Sequence, residues 1–143
     1  LADSNAEIVE EPVLADVIEG LRAVQEDGAL PVAADESCVT ASDVPTVADA
    51  ADIVVAKVGK CGGLGATASQ IGAATAHGLD VMLGCMVASN AAIAGACHLA
   101  PLCEYADLDG ALLLASDPYD GVAMPEGRPD LRAVEAGTGA CER

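Results

Sequence analysis

Short apolar runs alternate with helical patterns along the chain. The first run is Glu7-Ile8-Val9-Glu10, closed by Glu11-Pro12. After it, Leu14, Val17, Ile18, Leu21 and Val24 recur at i, i+3, i+4, i+7 and i+10, one face of a helix. Asp27-Gly28 ends that helix. The second run, residues 30–34, stops at Asp35-Glu36-Ser37. A short helix is expected next, with Ser42 as N-cap and Pro45 in its first turn. The third run, Ile53-Val54-Val55-Ala56, ends at Lys57, and a loop through Gly59-Lys60-Cys61-Gly62-Gly63 leads to a helix over residues 65–77. The fourth run, residues 80–83, ends at Gly84-Cys85-Met86, ahead of an Ala-rich helix over residues 90–99. The fifth run is residues 104–108. Beyond Asp109-Gly110, residues 112–114 and a tail rich in Gly and Pro read as irregular strands and turns.

The strand ends fall at Glu10, Asp35, Lys57, Gly84 and Asp107, in steps of 25, 22, 27 and 23 positions. Continuous apolar strands alternating with helices predict an α/β fold whose parallel sheet is covered on both faces. Residues 1–115 hold about five βα repeats by this pattern, and residues 116–143 form an irregular tail. An open doubly wound sheet and part of a (β/α) barrel both fit.

Composition refines the picture. Hydrophobic residues make up 52% of the 143, with no Phe and no Trp, so Ala, Val, Ile and Leu fill the core. Small aliphatic side chains suit helices packed closely on a sheet. Six basic residues against 23 acidic ones give a net charge of −17. That field repels nucleic acid and anionic membranes, so neither is an expected partner. The acids are scattered through apolar segments, which fits a solvated shell and not a disordered acidic tail. With only two lysines, the balance resembles that of proteins from salt-accumulating halophiles. The melting temperature is therefore expected to rise in molar KCl, where the shell's self-repulsion is screened. Melts that do not move with salt would count against a halophilic origin. The six cysteines (Cys38, Cys61, Cys85, Cys97, Cys103 and Cys141) include no C-x-x-C pair, so neither a zinc site nor a disulfide framework is supported. No secretory signal is recognisable and no apolar stretch is long enough to span a bilayer, so free thiols in the cytoplasm are expected.

Parallel α/β folds bind ligands at the carboxyl ends of their strands. Glu10, Asp35, Lys57, Asp107 and Asp109 all follow apolar runs. Each alone reads as a cap or a turn charge; five of them spread over four of the five strand ends make coincidence a poor explanation. Lys57 and Lys60 are the only lysines and lie at one strand end. Desolvation or nearby cations can depress a lysine pKa into the range of a general base. Glu10 and Asp35 are hard oxygen donors on adjacent strands and suit Mg²⁺, with Glu11 and Glu36 next door. Gly62-Gly63-Leu64-Gly65 matches no phosphate-binding signature and reads as a tight loop. His77, His98, Met82, Met86, Tyr105 and Tyr119 read as structural.

Val9-Glu10-Glu11-Pro12-Val13, Ala34-Asp35-Glu36-Ser37 and Ala56-Lys57-Val58-Gly59-Lys60-Cys61-Gly62-Gly63 resemble consecutive strand-end motifs of the enolase superfamily, in its muconate-lactonizing branch. Met82-Leu83-Gly84-Cys85-Met86 and Asp107-Leu108-Asp109-Gly110 are similar to those of dipeptide epimerases, including those acting on L-Ala-D/L-Glu. The likeness covers about residues 6–125 and implies the C-terminal part of a (β/α)7β, TIM-like barrel. It implies that Glu10 and Asp35 bind an essential Mg²⁺ and that Lys57, with Lys60 beside it, works as acid/base at the substrate α-carbon. It also implies that Asp107 and Asp109 hold a dipeptide's ammonium group and that Met86 contacts the substrate. The family's third carboxylate and its K-x-K lysines lie on earlier strands, so the chain is expected to be a fragment or a reduced half-barrel. Such a half-barrel would pair with the missing half or form a homo-oligomer. Ala88 stands where the resemblance leads one to expect Glu. A cycloisomerase or o-succinylbenzoate synthase, and a non-catalytic half-barrel binding only a cation, are the alternatives.

Overall fold

In the computed structural model, residues 5–143 are described. The first four residues of the expected barrel segment lie outside the described residues. Five strands form one parallel sheet: β1 (Val9–Glu10), β2 (Val32–Ala34), β3 (Ile53–Lys57), β4 (Asp80–Gly84) and β5 (Tyr105–Ala106). Their spatial order is their chain order. A doubly wound sheet reverses strand order at a switch point, whereas a barrel adds each strand beside the last. The sequential order therefore selects the barrel, and the chain forms a curled half of one.

The helices decide the same question. They are α1 (Ile18–Asp27), α2 (Val44–Val47), α3 (Val58–Cys61), α4 (Leu64–Ala76) and α5 (Asn90–Cys97). Strand residues alternate between faces. Val32, Ala34, Val54, Ala56, Val81 and Leu83 meet Leu21 of α1, Val44 and Val47 of α2, Ile71 and Ala74 of α4, and Ile93 of α5 in one core. Ala33, Ile53 and Val55 form a separate small cluster on the opposite face with Ile8, Met82 and Tyr105. The expectation of helices on both faces is corrected: they cover one face only. The other face is lined by side chains of the strands themselves, as the interior of a barrel is.

Local chemistry explains several boundaries. Gly28, left-handed at φ 51°, ends α1 and donates its N–H to the Val24 carbonyl. Asp43, not Ser42, is the N-cap of α2, and its carboxylate turns back to accept from the backbone of Val39 and Thr40. Residues 59–63, predicted as loop, contain the single turn α3. Gly62 and Gly63 stop it at φ 96° and 119°, where a side chain would be strained, and α4 starts at once.

Residues 110–113, beyond β5, form a 3₁₀ turn and not a strand. The tail then contributes β6 (Tyr119–Asp120) and β7 (Cys141–Glu142), paired antiparallel. It is fastened to the start of α5. The Asp117 carboxylate accepts from the Asn90 N–H at 2.6 Å and from the Asn90 side-chain amide at 3.0 Å. A negative group there satisfies orphan donors and opposes the helix dipole. Among the described residues no helix is long and apolar enough to cross a membrane.

Candidate active site at the carboxyl ends of the strands

Glu10 ends β1, Asp35 follows β2 and Lys57 ends β3. Because the strands are parallel and adjacent, these three side chains rise from the same end of the sheet. The Lys57 ammonium donates to Asp35 Oδ2 at 2.6 Å and to Glu10 Oε1 at 3.4 Å. Lys60 is carried back over the sheet by α3 and donates to Asp35 Oδ1 at 2.9 Å and to Glu36 Oε1. Asp35, its side chain only 4% exposed, is thus clamped between two ammonium groups. Every buried side-chain polar atom among the described residues has a hydrogen-bond partner.

These neighbours set the charge states. Burial works to raise the Asp35 pKa, but the hydrogen bonds from Lys57 and Lys60 outweigh it and hold the carboxyl below its ordinary range. Burial, aided by the adjacent Asp35 carboxyl, pushes Glu10 up against the pull of Lys57. Burial would lower Lys57, yet its bond to Asp35 and the charges of Asp35 and Glu10 raise it; Lys60 is raised likewise by Glu36 and Asp35. The expected depression of a lysine pKa is therefore not present in this arrangement. The carboxylates of Asp35 and Glu10 stabilise the protonated amine and outweigh both burial and the opposing charge of Lys60.

Glu11 serves the site without facing it. Its φ of 40° is left-handed, a conformation that residues other than glycine avoid. That turn directs its carboxylate to the loop after β2, where it accepts from the Asp35 N–H at 2.7 Å, from the Ser37 N–H at 3.3 Å and from the Ser37 hydroxyl. The backbone under Asp35 is fixed in this way. Glu11→Ala is expected to cost about 1.5–3 kcal/mol, the range for hydrogen bonds to a charged group. Faster amide exchange confined to Asp35 and Ser37, with a lower melting temperature, is the corresponding measurement. Glu36 is mostly exposed; it accepts from Lys60 and also helps to hold the Asp35 carboxyl low through a side-chain hydrogen bond.

Asp107 and Asp109 stand exposed beyond β5 with buried Leu108 between them. Asp107 remains in the sheet through its N–H to the Leu83 carbonyl. Burial first, then the charges of Asp107 and Asp109, push the Cys85 thiol up, while Lys57 pulls it down. Cys85 therefore lies within electrostatic reach of both the lysine and the acidic pair. Its sulfur accepts the Gly110 N–H at 3.3 Å, which ties the acidic loop to the end of β4. Met86 is half exposed at the same rim. Ala88 lines a cavity of about 60 Å³ with Val58, Gly59, Cys85 and Ile93.

Three contributors owe their roles to tertiary neighbours that periodicity does not show. Ser37 and Asp117 matter through partners 26 and 27 positions away. Gly84 read as a strand-end marker, and its significance lies in what stands above it. The donor set of Glu10 and Asp35 is compatible with Mg²⁺: two hard carboxylates that already gather a cation, leaving positions for water and substrate oxygens. Among the described residues no group of three metal-ligating side chains is assembled.

A parallel half-barrel with carboxylates, a half-buried lysine pair and an exposed acidic pair at its strand ends defines an α/β barrel segment with its charged residues gathered at one rim. The chain belongs to the Enolase C-terminal domain-like family, whose pattern matches residues 1–130. It is 42% identical over 121 residues to an L-Ala-D/L-amino acid epimerase of Flavobacterium johnsoniae, covering 85% of this chain and 36% of that protein. A hydrophobic dipeptide epimerase of a Flavobacteria bacterium is 37% identical, with 89% of this chain and 36% of that protein covered. Among solved structures, a mandelate racemase/muconate lactonizing enzyme from Roseiflexus sp. superposes with a TM-score of 0.90 at 35% identity, over 99% of this chain and 42% of that one. The dipeptide epimerase of Enterococcus faecalis, complexed with Mg and L-Leu-L-Tyr, gives 0.89 at 32% identity, over 98% and 42%. The chain spans little more than a third of the length of the curated relatives it matches.

Proposed function

We propose that this chain is the C-terminal barrel segment of a Mg²⁺-dependent dipeptide epimerase that moves the α-proton through an enolate. The observation that carries the reading is the convergence of Glu10, Asp35 and Lys57 at three consecutive strand ends. The relatives' names, L-Ala-D/L-amino acid epimerase and hydrophobic dipeptide epimerase, supply the substrate class.

Glu10 and Asp35 would hold the metal, with further ligands from the remaining strands. When bound, Mg²⁺ supplies the positive charge that makes a proton beside a carboxylate acidic enough to remove. Lys57 takes that proton from one face of the α-carbon or returns it there. Lys60, bonded to Asp35 and Glu36, keeps the Asp35 carboxylate aimed. Asp107 and Asp109 receive the dipeptide's ammonium group, and Met86 lies against its side chain. The two-residue edge strands β1 and β5 are where the rest of the barrel would join.

The test is deuterium wash-in at the α-carbon of Ala-Glu and of a hydrophobic dipeptide, using the gene product with its upstream region. Exchange that requires Mg²⁺ is expected. No exchange with Mg²⁺ present overturns the proposal.

A further inference from the structure

We infer that Gly84 is a positioning residue for Lys57: its missing side chain keeps clear the space over the end of β4 that the lysine's methylene chain occupies. The inference rests on Lys57 acting as the acid/base.

Gly84 pairs in register with Lys57 across β3 and β4. In-register residues of neighbouring parallel strands point to the same face, so any side chain at position 84 would stand beside that of Lys57. A Cβ built on Gly84 would lie 2.8 Å from Lys57 Cε, 3.2 Å from Lys57 Cγ and 3.1 Å from Val55 Cγ1. Real Cβ atoms do not approach carbon at 2.8 Å, so the lysine chain would move.

Backbone conformation does not explain this glycine. Gly84 is not among the positive-φ residues and sits in regular strand, where glycine weakens the sheet and packs nothing. An alanine would suit the backbone better. What glycine provides is an open lane. On one side of it, Lys57 reaches across to Asp35 and Glu10. On the other side, β5 continues from the Leu83–Ala106 pair to Asp107. An ammonium that leaves Asp35 can stand upright over Gly84, between the carboxylates on β1 and β2 and the acidic pair after β5. A Cβ closes that lane and fixes the direction from which Nζ can approach an α-carbon.

Three measurements test this. The first uses the chain labelled with [¹³Cε]lysine, which gives two signals because it has only two lysines. A strong NOE between Lys57 Hε and Gly84 Hα is expected, and its absence overturns the inference without any variant. The second is Gly84→Ala in the same sample. The Lys57 signal is expected to shift while that of Lys60 stays and the melting temperature holds or rises. An unmoved Lys57 signal overturns the inference. The third compares epimerisation by the longer gene product. Misplacing a catalytic group by about 1 Å costs on the order of 10²-fold, so Gly84→Ala should lower kcat by about that factor with KM changed less than about threefold. Full kcat in Gly84→Ala, beside an inactive Lys57→Ala, overturns the Gly84 inference alone. Full activity in Lys57→Ala overturns it together with the proposed function.

Discussion

Lys57→Ala is expected to abolish epimerisation in the longer gene product while leaving one-sided exchange intact. Epimerisation needs one group to remove the α-proton and another, on the opposite face, to return it. Under the proposed mechanism, removing Lys57 deletes the group on one face, so the epimer whose proton points toward Lys57 should lose exchange by about 10²–10⁴-fold, the usual size of a general acid–base contribution. The other epimer should still wash in deuterium and keep its configuration. A merely structural lysine would depress both epimers alike. Lys57→Met is the control for packing, since it retains an unbranched side chain of similar length against the Gly84 backbone. It should behave as Lys57→Ala does. Epimerisation that survives either variant would falsify the assignment of Lys57.

Asp35→Asn is the second large effect, and it should appear in the chain itself. The change is isosteric and removes the charge that two ammonium groups share at 2.6 and 2.9 Å. Two consequences follow from that geometry. Lys57 and Lys60 lose their common counterion and face each other across a neutral amide. Breaking a fully buried pair costs about 3–5 kcal/mol; both lysines retain some contact with solvent, so about 2 kcal/mol is expected by urea melts. Mg²⁺ affinity should fall at least about 100-fold, the upper end for disturbing a group that only supports a ligand. Calorimetry with Mg²⁺ on the parent chain and on Asp35→Asn reads this directly. Equal affinities would remove Asp35 from the metal site, whereas a loss of stability alone would leave it a purely structural anchor.

Much of this architecture was legible because its signals are local. The alternation of apolar runs with 3.6-residue patterns located all five parallel strands and the three longer helices. The strand-end residues were visible because each interrupts an apolar run. Boundaries that depend on backbone geometry were less accessible. Residues 59–63 look like loop because three of the five are glycine, yet two of those glycines terminate a helical turn and the turn itself forms from Val58, Gly59, Lys60 and Cys61. That turn is what returns Lys60 to Asp35. Ser42 has the composition of an N-cap, but Asp43 occupies the position because its carboxylate is already engaged by the backbone of Val39 and Thr40.

By itself, then, the sequence determined the class of fold, the order of its elements and the set of acids and lysines at the strand ends. These follow from hydrophobic periodicity and from which residues break it. Tertiary structure decided the rest. The sequential strand order and the gathering of all helices on one face chose a barrel over an open sheet, a choice that periodicity cannot make because each strand reads the same in both. Charge state was likewise set in space. In the sequence Lys57 has no carboxylate beside it; in the structure it is doubly paired and its pKa raised, because residues 22 and 47 positions earlier meet it there. Gly84 is the clearest case. In the chain it marks the end of a strand, and only the register against β3 makes its absent side chain the room in which Lys57 stands.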